Sequence, residues 1–446
     1  MILSSLSLLL FLSLSPILSS TLPPTYWKEQ MTLFPDEPNL KSCYALSLIR
    51  EQRLDEGMPI LLEGIEKNPA DWVAWEYIGG TYGSIARTLF QYGKVQRGHE
   101  FLYKAIDAFA KGYESRINYS ERENTKERGN VQGIEIDLGE YPQSRHFAMP
   151  LSLSLRGWGD ALLWIGNEEK SQKVYLLGVK HGLWKSPLCR PEVLLSTLSL
   201  SASHFGVLSP TSSHFPYIFD ISLFPHLSSL VASLEQITSE LYSLSDPSLW
   251  MTESAGLHSE QSWTQLPFLA NGYFHPICQH SPFISESASA HPNLPFSFTC
   301  SLIQSIPSFF LRSGQVKFSS MLSGTRVRPH AGPVNSRLRI HCALRVPPEL
   351  ERSWIKVGDQ ILHWKEGKCF VFDESCQHEV SIAEAEGGQR VVLVADFANP
   401  FLSEWADYEA ALHPSVDMVR ARDEFDAFQK LHFPSWEKES EMCAMT

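Results

Sequence analysis

Basic side chains are scarce: 37 Lys and Arg stand against 50 Asp and Glu in 446 residues, for a net charge of -13. A surface that acidic repels a phosphate backbone, so nucleic acid is not an expected partner. Cysteine is sparse too. Eight residues are scattered over the chain, without the density of a disulfide scaffold and without any Cys-x-x-Cys pair. A structural zinc site would have to be built on Cys376-x-His378 and His341-Cys342, and the last two point to opposite faces of a strand. The 28 prolines and 26 glycines exclude collagen-like and Pro-rich readings. Charge is missing from two long stretches, where Asp220 is alone between Val193 and Ala232 and Glu286 is alone between Thr264 and Leu311. Such segments are either buried on nearly every side or foreign to the functional protein, and their prolines exclude long helices and central strands. With 43% hydrophobic residues, the whole is globular and large enough for two or three cores.

No basic residue precedes Lys28, although Ile2 to Leu18 is a nearly pure apolar run broken by Pro16. The run is shorter than the ~20 residues that span a bilayer, so residues 1–22 read as a signal peptide or signal anchor. The polar stretch from Ser115 to Asn130, read as an exposed loop, holds a sequon at Asn118-Tyr119-Ser120. Apolar spacing predicts helices from Asn39 to about Gly112. Gly57, Leu61 and Ile65 align with Gly98, Leu102 and Ile106 at a constant offset of 41 residues, and a third helix pair is expected near Gly166 to Gly182. The offset exceeds the ~34 residues of a regular tetratricopeptide repeat, so the region 27–200 is read as repeat-like helix pairs.

From Gly314 the texture changes to short runs of β character. Leu338, Ile340, Cys342, Leu344 and Val346 alternate with Arg337, Arg339, His341, Ala343 and Arg345. Further strands are expected at Gln315 to Met321, Cys369 to Phe372 and Arg390 to Asp396, which together suggest an antiparallel barrel or jelly roll. His330 and His378 each fall beside such a strand, and two histidines brought together can hold Fe(II), Zn or Cu. Most iron oxygenases add a carboxylate two residues after the first histidine. Here that position is Gly332, and Asp373 and Glu379 are nearby substitutes, with Asp373 better suited to shaping its turn.

The strings around these residues decide the reading. Gly314-Gln-Val-Lys-Phe-Ser319, Met321, Gly324-Thr325, His330-x-Gly-Pro-x-Asn-x-Arg-Leu-Arg-x-His341, Trp364-x-x-Gly-Lys368, Phe372-Asp-x-Ser-x-x-His-Glu-Val380 and Arg390 through Asp396 to Pro400 follow one another in order. Together they closely resemble the aspartyl/asparaginyl β-hydroxylase catalytic domain, an Fe(II)- and 2-oxoglutarate-dependent dioxygenase with a double-stranded β-helix core. Trp158-x-Asp160-Ala161, Gly166-Asn167 and Tyr175 to Gly182 look like the helical segment preceding it in that family. The resemblance implies His330 and His378 as iron ligands, with glycine at 332 a peculiarity of the family itself. It implies Arg390 and Ser319 at the distal carboxylate of 2-oxoglutarate and Arg339 and His341 at the iron-chelating end, while Arg345 stays structural. Departures are a longer interval from His378 to Arg390 containing Gly387-Gly388, Ser336 where the family commonly has cysteine, and a stretched, Ser/Pro-rich interval between Cys278 and Cys300.

The expected architecture is α+β and multidomain: leader 1–22, helical repeats 27–200, a lead-in 201–310 joined to the oxygenase, a β-helix core 311–405 and a helical tail 406–446. The implied activity consumes O2 and 2-oxoglutarate and hydroxylates the β-carbon of Asp or Asn. Its implied substrates are EGF-like domains in the endoplasmic reticulum or secretory pathway, with residues 2–18 able to anchor the protein to a membrane. The rivals are the same chemistry on a lipid acyl chain, and a helical-repeat binding protein carrying an inactive oxygenase fold.

Overall fold

Apolar residues at helical spacing fold the N-terminal part of the computed structural model into three helical hairpins. The structure describes residues 23–34, 38–51, 53–128, 149–191, 194–197, 217–244, 246–253, 262–279, 296–385 and 388–433, and the expected leader lies outside them. After α1 (Pro24–Leu33) come the pairs α2 (Pro38–Arg50) with α3 (Leu54–Lys67), α4 (Trp72–Gln91) with α5 (Val95–Arg128), and α6 (Leu151–Trp164) with α7 (Glu168–Lys180). Asp71 caps α4 by accepting from the Ala74 N–H (3.2 Å), and Asn167 caps α7 from the Lys170 N–H (3.2 Å). The aligned glycines have a packing reason. A Cβ on Gly57 would lie 2.7 Å from Ile49 and one on Gly98 2.5 Å from the Phe90 ring, so each lets the second helix of its hairpin press on the first. In the third hairpin the equivalent position is Ser171, buried and bonded to the Gly159 carbonyl (2.9 Å).

The expected loop from Ser115 to Asn130 is instead helical to Arg128, with Asn118 exposed on α5. Its Glu, Arg and Lys residues are good helix formers, and polarity alone was a poor sign of a loop. Among the described residues no helix is long and apolar enough to cross a membrane.

The first compact unit ends at Pro187 and the second starts at Leu188, so the helical region stops short of residue 200. The reason is local: Leu188, Cys189 and Arg190 pair with Gln377, Cys376 and Ser375 of the second unit. That unit contains two antiparallel sheets. The larger runs β1 (Ile218–Phe219), β10 (Cys369–Phe372), β7 (Arg337–Arg345), β12 (Gln389–Ala398), β5 (Gln315–Leu322), β3 (Trp263–Ala270) and β2 (Met251–Thr252), with β4 (Tyr273–Phe274) paired to β3. The smaller runs β6 (Arg326–His330), β11 (His378–Ser381), β8 (Trp354–Val357) and β9 (Gln360–His363).

One face of the larger sheet carries the main core. Leu338, Ile340, Cys342 and Leu344 of β7, Val391, Leu393, Ala395 and Phe397 of β12, and Val316 and Phe318 of β5 all point into it. The described parts of the two uncharged stretches fill the same core with Phe219, Phe224, Leu227, Phe268, Phe296 and Phe309, which accounts for their lack of charge. They are integral to the fold. β1 and β3 come from the lead-in, so the larger sheet draws on residues before 311. The C-terminal helices, α8 (Trp405–Ala411) and α9 (Met418–His432), reach the same core: Phe428 lies 5.0 Å from Phe401 and stacks on Phe224.

Candidate active site

If the even residues of β7 face the core, strand geometry turns Arg337, Arg339 and His341 to the opposite face of the sheet. The same alternation puts Lys317 and Ser319 of β5, and Arg390 and Asp396 of β12, on that face. The smaller sheet brings the two histidines together. His330 ends β6, His378 starts β11, and the two are direct partners in the ladder, with ring centroids 4.1 Å apart. The Nδ1 of His330 donates to the Arg328 carbonyl (2.8 Å), and the Nδ1 of His378 donates to that of Cys376 (2.9 Å). A carbonyl can only accept, so each Nδ1 carries a proton, and in the neutral ring the lone pair is then on Nε2, the tautomer a metal ligand needs. Among the described residues no group of three His, Cys, Asp or Glu side chains is placed to hold a metal. Cys376 and Cys342 are tied up in disulfides with Cys189 and Cys369, which removes the zinc alternative.

Arg390 is 1% exposed, and none of its three guanidinium nitrogens has a hydrogen-bond partner. Burial pushes its pKa down to about 9, and its guanidinium carbon sits 4.4 Å from the centre of the Trp364 ring. A desolvated, unpaired guanidinium costs several kcal/mol by order of magnitude, a cost that a carboxylate ligand would offset. His341 is buried as well, and its Nδ1 also lacks a partner. Burial, then the Arg390 and Arg339 charges, hold its pKa well below the usual histidine range, so the ring is neutral. Ser319, likewise buried, accepts the indole N–H of Trp263 (2.9 Å).

Arg339 is committed to protein carboxylates. Its Nε and Nη2 fork onto Asp396 (2.6 and 2.9 Å), its direct ladder partner, and its Nη2 also meets Glu374 (2.5 Å). Glu374 further accepts from Arg337. Burial would raise the Glu374 pKa, yet Arg337 and Arg339 outweigh it and keep the carboxyl ionised. Asp373 accepts from the Ser375 N–H (2.9 Å) and shapes the turn, while Glu379 pairs loosely with Lys356 (3.7 Å).

The carboxyl group packed at Gly332 is that of Glu374. A Cβ on residue 332 would come within 2.8 Å of the Glu374 carboxyl carbon, and the Gly332 N–H donates to the Glu374 carbonyl (2.5 Å). With two arginines holding that side chain, it cannot step aside. Gly332→Ala is therefore expected to cost about 1–3 kcal/mol of stability, read as a lower denaturant midpoint at unchanged slope. A midpoint equal to that of the wild type would show that the Glu374 carboxylate is loosely held.

A profile of the aspartyl/asparaginyl beta-hydroxylase family matches residues 232–400, the span that holds both histidines and Arg390. Over that span the chain is similar to the aspartyl/asparaginyl beta-hydroxylase family. The human protein named aspartyl/asparaginyl beta-hydroxylase is 29% identical over 253 residues, which are 55% of this chain and 29% of that protein. The chain thus spans less than a third of that relative's length. An ornithine lipid ester-linked acyl 2-hydroxylase of Rhizobium tropici is 34% identical over 118 residues, 26% of this chain and 38% of that protein. A crystal structure of a Pseudomonas putida prolyl-4-hydroxylase aligns with 38% of this chain and 87% of that one, at 13% identity and a TM-score of 0.24.

All six residues singled out by the hydroxylase resemblance lie in the second unit, and Ser319, Arg339, His341 and Arg390 share one sheet face. Sequence reading gave Glu374 and Trp263 no place in the site, and Trp364 entered only as a motif residue without a role. Trp364 and Glu374 lie within or beside the hydroxylase motifs, but their contacts are with residues distant in sequence. Arg337 is buried, whereas Arg345 is exposed at the end of β7. Lys317 is buried in a pair with Glu253 (2.5 Å), a residue of the lead-in.

Proposed function

We propose that this chain is an Fe(II)- and 2-oxoglutarate-dependent dioxygenase on a double-stranded β-helix, hydroxylating the β-carbon of Asp or Asn residues in EGF-like domains. The observation that carries the reading is the unpartnered, buried Arg390 in the unit that pairs His330 with His378. An orphaned guanidinium fits one end of a dicarboxylate, and two Nε2 lone pairs fit a metal. When bound, iron and 2-oxoglutarate supply the activation of O2.

The chain's own residues bind and orient. His330 and His378 would be the metal ligands, each aimed by a backbone carbonyl. Arg390 would fork onto the distal carboxylate, with its plane kept against Trp364. Ser319 uses an oxygen lone pair for Trp263, which leaves its own O–H to donate to the same carboxylate. At the chelating end, neutral His341 would donate or accept, and Arg339 would add its charge while Asp396 and Glu374 hold it still. Trp364, Phe370 and Phe372 crowd His341 and keep water from it.

Three disulfides among the described residues suit the oxidising compartment in which EGF-like domains form. Residues 2–18 would then act as signal or anchor, and the helical hairpins, read as tetratricopeptide-like, would help grip the substrate. The lipid hydroxylase relative favours a second reading, in which the acceptor is an acyl chain. The test is conversion of 2-oxoglutarate to succinate by purified protein, with and without Fe(II), an EGF-like domain or an acyl lipid. Turnover that needs Fe(II) and rises with the EGF-like domain is expected. Turnover stimulated by the lipid alone would replace the substrate assignment, and none under any condition would leave a binding protein.

A further inference from the structure

The two histidines are oriented by different means. His330 donates to Arg328, a residue inside β6, so the accepting carbonyl is fixed by a strand already in the ladder. His378 donates to Cys376, which lies before β11 begins, in the turn that leads from β10. That carbonyl needs another anchor. It has one in residues 188–190: the Gln377 N–H donates to the Leu188 carbonyl (2.6 Å), the Arg190 N–H donates to the Ser375 carbonyl (2.9 Å), and between these bonds Cys189 and Cys376 face each other and are joined by a disulfide. The same turn carries Glu374, against which Gly332 packs.

We propose that the Cys189–Cys376 disulfide is a positioning element of the metal centre: it fixes the carbonyl that sets the tautomer and direction of His378, so metal affinity depends on it. The bond spans 187 residues of sequence and stabilises the fold as well. The positioning role is separable, because groups that orient a ligating histidine typically change metal affinity by ~10- to 100-fold. The inference rests on reading His330 and His378 as metal ligands.

The experiment is an anaerobic Co(II) titration of the full chain, without 2-oxoglutarate, following the d–d absorption band. The variant is C189S/C376S, and the control is C278S/C300S, which removes a disulfide of the same unit placed in its apolar core. A Kd weakened ~10- to 100-fold with a displaced band is expected for the first, and a Kd within about twofold of wild type for the second, at retained circular dichroism. Wild-type affinity in folded C189S/C376S, or equal weakening in both variants, would overturn the proposal. H330A and H378A in the same assay guard the underlying reading: if neither weakens Co(II) binding, the ligand assignment has failed, whatever the disulfide does.

If C189S/C376S does not fold, the wild-type protein is reduced under native conditions. A dithiol supplies two electrons and two protons, the S–S bond opens to two thiols, and the reagent leaves as its cyclic disulfide. Alkylated aliquots show by peptide mapping that the Cys189–Cys376 bond has opened. After desalting, the same loss of Co(II) affinity with recovery on reoxidation is expected, and unchanged affinity in the reduced protein would overturn the proposal.

Discussion

Alanine at either His330 or His378 is expected to abolish metal-dependent turnover of 2-oxoglutarate while leaving the fold intact. The expectation follows from the ligand count. With two imidazoles and no third His, Cys, Asp or Glu grouped with them among the described residues, neither loss can be absorbed by a remaining protein ligand. Both side chains lie at the meeting point of β6 and β11, and Val327 and Val380 hold that strand pair without them. Co(II) titration and circular dichroism on each variant separate loss of the ligand from loss of structure. Near-normal turnover in His330→Ala would sink the assignment of the pair.

Arg390→Ala is expected to raise the apparent KM for 2-oxoglutarate by roughly ten- to a hundredfold, because a charge-assisted hydrogen bond contributes ~1.5–3 kcal/mol. Arg390→Lys should recover only part of the loss, since an ammonium keeps the charge without the planar fork and stacks less well on Trp364. In the absence of ligand the alanine variant should be no less stable than wild type, because the guanidinium it removes is buried and unpaired. Steady-state kinetics with 2-oxoglutarate varied, together with denaturant melts of the ligand-free proteins, check both statements. An unchanged KM would move the carboxylate-binding role to Arg339 or Arg337.

How much of this was legible beforehand depends on how far apart the cooperating residues lie. The alternation from Arg337 to Val346 is a local signal, and the structure repeats it as one core face and one polar face. The paired glycines at 57 and 98 are also local, each closing its own hairpin. Glu374 could not be read in this way: its importance comes from Gly332, Arg337 and Arg339, all at least 35 positions earlier. Asp373 does shape its turn, as its residue type suggested, but which carboxylate meets Gly332 could not be read locally, because the direction of a side chain in a turn is set by what packs against it. The boundary at residue 188 was hidden for a related reason, since nothing in Leu188-Cys189-Arg190 announces that it will pair with residues 375–377.

The order of strands also bears on how the chain is made. A ribosome delivers the helical hairpins first, and their contacts are between neighbours in sequence, so they can form as they emerge. The second unit has no such early product. Its first strand, β1, pairs with β10 some 150 residues later, the centre of its larger sheet is β12, and Phe224 waits for Phe428. Its uncharged, phenylalanine-rich segments are therefore synthesised well before the surfaces that cover them. The second unit is thus a late and nearly all-at-once event in the life of the polypeptide, and the interval before it is when a chaperone would be needed most.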